Sequence, residues 1–183
     1  FAAHLPYGSI GDPKAELRCG RVPGDHLAAV LDHFRAALPN EAAAFILWNE
    51  ATAEFAVHFP QIDEATPTRL VYRPPACQPG WHVVCDMHSH GRGPAYFSAT
   101  DDADDVHATK ISLVVGRLDD PAGPVMAARL CAGGMFLAVP RSPFSGDSKC
   151  SLTSPSATFF PPASTIAGSG SSSWDAVETG LRC

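Results

Sequence analysis

The sequence lacks long apolar runs and an excess of positive charge, and both absences exclude classes of protein. No stretch approaches the roughly 18 apolar residues that a membrane-spanning helix needs. With 13 Lys and Arg against 19 Asp and Glu, the net charge is −6. This balance argues against nucleic acid as the main partner, because phosphate binding needs a basic face. We therefore expect, by default, a cytoplasmic protein with neither a membrane nor a nucleic acid as partner.

The sequence also lacks any cysteine pair with C-x-x-C spacing. Its six cysteines stand at irregular distances, which excludes a zinc ribbon or a thioredoxin-like motif readable from the sequence. In a cytoplasmic protein we expect free thiols, with Cys85 and Cys131 as small core residues.

Length and composition divide the chain into three parts. The 183 residues suffice for one domain with its own core and are too few for two. We expect residues 1–22 to be the end of a truncated N-terminal region, because the chain begins with Phe1, and residues 23–140 to form the domain. Residues 141–183 are rich in Ser, Pro, Thr and Gly, and we expect them to be disordered because they cannot bury enough apolar surface.

Apolar periodicity predicts one long helix near the start of the domain. The helix runs from Asp25, the expected N-cap, to about Leu38, and Pro39 ends it. Four apolar residues share one of its faces, followed by Leu38 on the same face: Leu27, Val30, Leu31 and Phe34. Weak alternation over residues 15–19 is compatible with a strand before it.

Capping residues predict one more helix, and short apolar segments predict the strands. A second, short helix is expected to begin at Ser98 or Thr100 and to end near Thr109. Strands are predicted at residues 43–48, 54–59, 69–73, 81–88, 111–115, 125–131 and 135–139. This order indicates a single α+β domain with a mixed, curved β-sheet flanked by helices.

The most informative motif, H-S-H-x7-S-x2-D, begins at His88. Side chains alternate along a strand, so His88 and His90 point to the same side and can hold one ion, while Ser89 faces away. Asp101, from the following element, would complete three ligands and leave the fourth tetrahedral position open, as in catalytic zinc sites. The motif therefore predicts one zinc ion per chain, in an open site.

Polar residues near the motif are candidates for contacts with the ligand imidazoles or with a substrate. Asp86 and His82 are expected on the side of the strand that carries His88, where Asp86 could accept a hydrogen bond from a ligand imidazole. His82 is interpreted as an ordinary polar surface residue. Arg92 and Tyr96, in the glycine-rich loop after the motif, are candidate substrate contacts.

These motif residues resemble those of the JAMM, or JAB/MPN-type, metalloproteases. The family motif has a second part, a glutamate in a P-x-E segment ahead of an apolar strand, and Glu41 matches it. The resemblance implies a zinc-dependent isopeptidase that acts on ubiquitin or ubiquitin-like chains. It implies metal binding by His88, His90 and Asp101. It also implies that Glu41 is the general base and then acid, and that Ser98 donates to the oxyanion.

Longer stretches are similar to a group of JAB-domain proteins called PRTRC system protein A. The similar segments are residues 81–98, 101–105 and 130–132, within a resemblance that covers roughly residues 5–139. It implies two partners, a ubiquitin-like protein as substrate and an activating-enzyme-like protein as companion. The chain departs from the commonest JAMM pattern at Gly91, where proline is frequent, and this leaves the shape of the loop open.

Other interpretations compete with the zinc peptidase. Asp86 to His90 also resembles the opening of PHP-type phosphoesterases, but the chain is too short to supply the later ligands of such barrels. A zinc deaminase is disfavoured because the H-x-E and P-C-x-x-C motifs are missing. A non-catalytic MPN-type binding scaffold is the main alternative, against which the intact motif argues. Glu50 and Glu54, interpreted as surface charges of a hairpin, are the alternatives to Glu41 as the base.

Overall fold

The structure is a computed structural model that describes residues 17–139, 141–146 and 150–153. Within these residues the chain forms two helices and nine strands. In chain order the elements are α1 (Gly24–Ala37), β1 (Ala43–Asn49), β2 (Phe55–His58), β3 (Ile62–Thr66), β4 (Arg69–Tyr72), β5 (Trp81–Ser89), α2 (Ala99–Asp105), β6 (Lys110–Gly116), β7 (Val125–Ala132), β8 (Met135–Ala138) and β9 (Ser151–Thr153).

A mixed seven-stranded sheet organises the domain. Six strands follow the order β2-β1-β5-β6-β7-β8, and β9 pairs with β7. The pairs β5–β6 and β7–β9 are parallel, and the other neighbours are antiparallel. β3 and β4 form a separate antiparallel pair. The prediction of an α+β domain with a mixed sheet is confirmed.

The apolar core lies between α1 and one face of the sheet. The predicted face of α1 is buried, and its apolar spacing is the reason why this helix forms here. The sheet contributes alternate residues of its central strands to the same cluster: Ile46, Cys85, Met87, Leu113 and Val115. Cys85 and Cys131 are fully buried thiols, as expected. No described helix combines the length and apolar character needed to cross a membrane.

The ends of α1 differ slightly from the prediction. Its N-cap is Pro23 rather than Asp25, and no side chain caps this end. The carboxylate of Asp25 instead accepts hydrogen bonds from the backbone N–H and the ring of its neighbour His26, at 3.0 and 2.9 Å. Leu38 has left the helix and is extended, as expected for a residue before proline.

The sequence analysis was wrong about two short segments. β3 was not predicted, because three of its five residues are exposed and its apolar alternation is weak. The possible strand at residues 15–19 is a turn where the structure describes it, from residue 17 onward. Residues 15 and 16 lie outside the described residues.

The disorder predicted for residues 141–183 does not hold for the described part of that segment. Phe144 is fully buried and forms a bridge with Val22, and β9 pairs with the outer edge of β7. The polar composition of the whole segment hides a few apolar residues that find partners only in the folded domain. The prediction for residues 140, 147–149 and 154–183 lies outside the described residues.

A buried group of charges ties α2 to the sheet. Asp105, at the end of α2, is 5% exposed and accepts from Arg129 of β7 at 2.7 Å and from Lys110 of β6 at 2.9 Å. Burial alone would raise the pKa of Asp105. The Lys110 charge and hydrogen bonds from Ser112, Arg129 and Lys110 outweigh it and hold the pKa below the ordinary value.

We expect Asp105→Asn to lower the free energy of unfolding by about 3 kcal/mol at pH 7, because it leaves two buried cations short of a partner. A carboxyl with a depressed pKa stabilises the fold above its ordinary pKa and loses this effect as the pH falls through its folded value. The difference in the free energy of unfolding between the variant and the wild type should therefore be constant between pH 5 and 7. It should shrink when the pH falls below 3.8, the ordinary pKa of an aspartate. Urea unfolding across this range measures it.

The control is Asp63→Asn, which removes an exposed partner of Arg73 and should change stability little. Equal losses in the two variants would contradict a special role for the buried group.

Candidate metal centre

An interior strand of the sheet carries the first histidine of the motif, and the second follows directly after that strand. β5 lies between β1 and β6, and His88 is its penultimate residue. His90 follows the strand, and its backbone N–H donates to Val115 of β6 at 2.8 Å. Ser89, between them, is fully buried and accepts from the backbone N–H of Ala42 at 3.0 Å. It therefore faces away from the two imidazoles, as expected.

A capping box at the start of α2 brings the carboxylate to the histidines. Ser98 is the N-cap, and its hydroxyl oxygen accepts from the backbone N–H of Asp101 at 3.3 Å. In return, Oδ2 of Asp101 accepts from the backbone N–H and the hydroxyl of Ser98, at 2.6 and 2.7 Å. This reciprocal arrangement satisfies the first N–H groups of the helix and fixes the carboxylate. Oδ1 of Asp101 remains for a ligand.

The three predicted ligands converge. Nε2 of His88 lies 3.2 Å from Nε2 of His90 and 3.4 Å from Oδ1 of Asp101. One ligand atom from each of the three residues lies within 4.8 Å of the other two. Two imidazoles and one carboxylate on one side of a cleft could hold a metal ion and leave a coordination position open.

Local contacts prepare both imidazoles for metal binding. Nδ1 of His90 lies 3.1 Å from the carbonyl oxygen of Pro94 and must donate to it, which leaves the Nε2 lone pair directed at the site. Burial lowers the pKa of His88, although the charge of Asp101 opposes this shift. The neutral imidazole, which is the form that binds metal, is therefore favoured.

Glu41 lies between α1 and β1 and lines the same cleft as the three candidate ligands. Its backbone N–H donates to the carbonyl of Thr66 in β3 at 3.0 Å. Partial burial, and then the charge of Asp101, raise the pKa of the Glu41 carboxyl to about 7. A carboxyl with such a pKa is suited to accept and return a proton near neutral pH.

A cleft of about 1010 Å³ joins these groups. It is lined by the three candidate ligands, by Glu41 and by Ser98, so the structure brings together all five residues singled out from the sequence. Residues 67–72, which include β4, form a wall that the sequence did not indicate. Of the described residues, neither Glu50 nor Glu54 lines the cleft; Glu50 lies near His82, and Glu54 accepts from Thr52.

His82 does not share the side of β5 that carries His88, contrary to the prediction. The register of β5 against β1 shifts at Val84, which has no partner residue. This bulge inverts the alternation, so His82 pairs with Trp48, which packs on the apolar core.

Asp86 is on the predicted side but has other partners. Among the hydrogen bonds of the described residues, it accepts from the hydroxyl of Tyr72 at 3.0 Å and from the ammonium of Lys110, not from a ligand imidazole. Burial, followed by the charge of Asp86, raises the pKa of Tyr72, which therefore stays protonated. Sequence reasoning missed Tyr72 and Lys110. The sequence signal that could have found them is their position, because each is a polar residue at the end of an apolar strand, β4 or β6.

The glycine-rich loop has a shape that proline would prevent. Gly91 has a φ of +55°, whereas proline is fixed near −65°. Arg92 pairs with Asp119 at 2.6 Å outside the cleft, and Tyr96 lines the cleft with its ring edge-on to His90. Tyr96 therefore remains a candidate substrate contact, and the loop contributes a wall beside one ligand.

Several solved structures are similar to this chain at low sequence identity. A protein from Desulfitobacterium hafniense has a TM-score of 0.49 and 20% identity, with 72% of this chain and 91% of that one covered. A JAB1/MPN domain protein from Archaeoglobus fulgidus has a TM-score of 0.42 and 14% identity, covering 73% and 97%. A protein from Salinibacter ruber has a TM-score of 0.44 and 18% identity, covering 67% and 90%. No curated protein matches the chain significantly.

The family is shown by a match of the sequence itself. Residues 23–131 match the family described as prokaryotic homologs of the JAB domain. The matched range includes α1, the strand β5 with His88, His90 directly after it, and α2 with Asp101. Because this range covers more than half of the chain, the protein belongs to the family of prokaryotic homologs of the JAB domain.

Proposed function

We propose that this protein is a zinc-dependent metallopeptidase that hydrolyses a peptide or isopeptide bond at the C-terminus of a ubiquitin-like protein. One observation carries the proposal: a three-residue ligand set faces the same cleft as Glu41, whose pKa is raised to about 7. A metal site alone would serve binding or structure. A proton acceptor beside an open ligand set is what metal-assisted hydrolysis needs.

The residues present fit a zinc ion. Imidazole nitrogen and carboxylate oxygen are common zinc ligands, and three protein ligands with an open position are typical of catalytic sites. Two histidines and one carboxylate also suit iron(II) in oxygenases. The half-buried Glu41 favours hydrolysis over oxygen chemistry, because hydrolysis requires a group that moves protons. Zinc, when bound, would polarise the scissile carbonyl and acidify water.

Glu41 would move the protons. Its carboxylate takes a proton from the attacking water and returns it to the nitrogen of the leaving amine. Burial keeps the carboxyl pKa near 7, so the same group can act first as base and then as acid at neutral pH.

Ser98 would have two tasks. Its hydroxyl donates to Oδ2 of Asp101 in the structure, and this bond orients the carboxylate. For the oxyanion contact that the family resemblance implies, the same proton must turn toward the cleft when substrate is bound. Donors of this kind contribute a few kcal/mol in other hydrolases.

The wall of the cleft suits an extended peptide. β4 pairs only with β3 among the described strands, so its other edge is open, and residues of β4 line the cleft. An extended C-terminal tail could add to this edge as a strand, with its last peptide bond placed among the catalytic groups. The resemblance to PRTRC system protein A supports a ubiquitin-like protein as the substrate and an activating-enzyme-like protein as the companion.

We expect the purified protein to contain about one zinc per chain, and we expect Asp101→Ala or His88→Ala to lose it, because two ligands hold zinc poorly. The matched control is Asp104→Ala, which removes a carboxylate from the same helix and the same cleft and should retain the metal. Elemental analysis of the folded proteins measures this. Stoichiometric iron in place of zinc would contradict the zinc assignment.

We expect Glu41→Gln to retain zinc and to lower the rate of hydrolysis by at least about 100-fold, because the amide cannot accept a proton. The substrate is the ubiquitin-like protein with a C-terminal peptide extension, and mass spectrometry follows the cleavage. Glu50→Gln, an exposed carboxylate outside the cleft, is the control and should cleave as the wild type does.

Turnover in Glu41→Gln close to that of the wild type would remove Glu41 as the base. Binding of the substrate without cleavage by zinc-loaded wild type would support the binding scaffold instead of the peptidase.

A further inference from the structure

The ligand set joins two elements of very different rigidity. His88 belongs to a strand with neighbours on both sides, whereas Asp101 belongs to a helix of seven residues. A helix this short is unstable by itself in water and must be held by tertiary contacts. Whatever holds α2 against the sheet also sets the distance between Asp101 and the two imidazoles.

Arg129 of β7 makes these contacts. Its side chain is 6% exposed, and its Nη2 donates to the backbone carbonyl of Asp101 at 3.0 Å. The same guanidinium donates to Asp102 through Nη1 and to Asp105 through Nε and Nη2, at 3.2 and 2.7 Å for the latter. One side chain therefore binds the beginning and the end of α2.

Two aromatic rings lie against the guanidinium group of Arg129. Phe97, immediately before the N-cap of α2, lies 3.9 Å from the guanidinium carbon, and Phe136 of β8 lies 4.0 Å from it. The guanidinium therefore combines contacts with two aromatic rings and hydrogen bonds from three of its nitrogens. Only arginine offers a flat cation with several fixed donors, and lysine could not reproduce this geometry.

The charges continue from α2 to the histidine strand. Asp105 also binds Lys110, and Lys110 binds Asp86, two residues before His88 on β5. A line of buried or half-buried, oppositely charged partners thus connects Arg129 to the strand that carries His88. Buried ion pairs add little net stability compared with apolar residues, and in some proteins they fix one arrangement of the elements that they join.

We propose that Arg129 is a positioning residue that holds α2 so that Asp101 is placed for metal binding before the metal arrives. The inference rests on the proposed function, because it assumes that the three-residue set binds zinc. Residues that orient metal ligands typically change metal affinity by 10- to 100-fold when they are replaced.

The test is zinc affinity, measured by competition with a chromophoric chelator, together with the visible absorption of the Co²⁺-loaded protein. Arg129→Lys keeps the charge and removes the planar fork, and we expect about tenfold weaker zinc binding and a changed cobalt spectrum. Phe136→Leu removes one ring and no polar partner, and should weaken binding roughly threefold. This second variant tests the proposal if Arg129→Lys does not fold.

Two controls separate positioning from general destabilisation. Val30→Ala removes buried methyl groups from α1, far from α2, and should lower Tm without changing zinc affinity. Arg35→Lys is the same arginine-to-lysine substitution on α1, at a residue that pairs with Asp32. It should change neither Tm nor zinc affinity.

Each result has a distinct meaning. Wild-type zinc affinity in Arg129→Lys and Phe136→Leu, or an equal loss of affinity in Val30→Ala, would overturn the role of Arg129 and leave the zinc site intact. A wild-type protein that binds no zinc would overturn the proposed function, and the role of Arg129 with it.

Discussion

The candidate site depends on one spacing, the distance between the end of β5 and the first turn of α2. The pairing of β5 with its neighbours fixes His88, and a backbone hydrogen bond to Val115 fixes His90. Asp101 reaches them only if a seven-residue helix is held in place. The charges between β7, α2, β6 and β5 provide this restraint. The position of the candidate ligands therefore depends on the polar contacts on one face of the sheet as well as on the apolar core packed against the other face.

Near the site, successive side chains of β5 point alternately to the two faces of the sheet. Cys85 and Met87 face α1 and the core, while Asp86 and His88 face the cleft. Polar groups on a half-buried face need partners, since an unpaired buried charge is costly. Tyr72 and Lys110 supply them for Asp86. The hydrogen bond from Tyr72 to Asp86 thus links β4, which belongs to a separate hairpin, to the strand that carries His88.

The elements that could be predicted from the sequence are those with a local signal. The apolar period of α1 and the spacing from His88 to Asp101 can be read from a short stretch of sequence. The helix and the ligand set could therefore be predicted correctly. β9 and the inverted face of His82 depend on which strand pairs with which residue, and a single unpaired residue, Val84, reverses the alternation. Glu41 could be identified only through the family resemblance, and Arg129 only through the packed structure.

The spacing of Ser98 and Asp101 has a cause in helix capping as well as in chemistry. An N-cap serine and a carboxylate three residues later form a capping box, which uses Oδ2 of Asp101 and leaves Oδ1 facing His88. The S-x2-D part of the motif would therefore be needed to begin α2 even if Ser98 never touched a substrate. Replacement of Ser98 removes a cap and a proposed oxyanion donor together, so its effect on turnover alone cannot assign the donor role. Zinc affinity separates the two, because only the loss of the cap displaces Asp101.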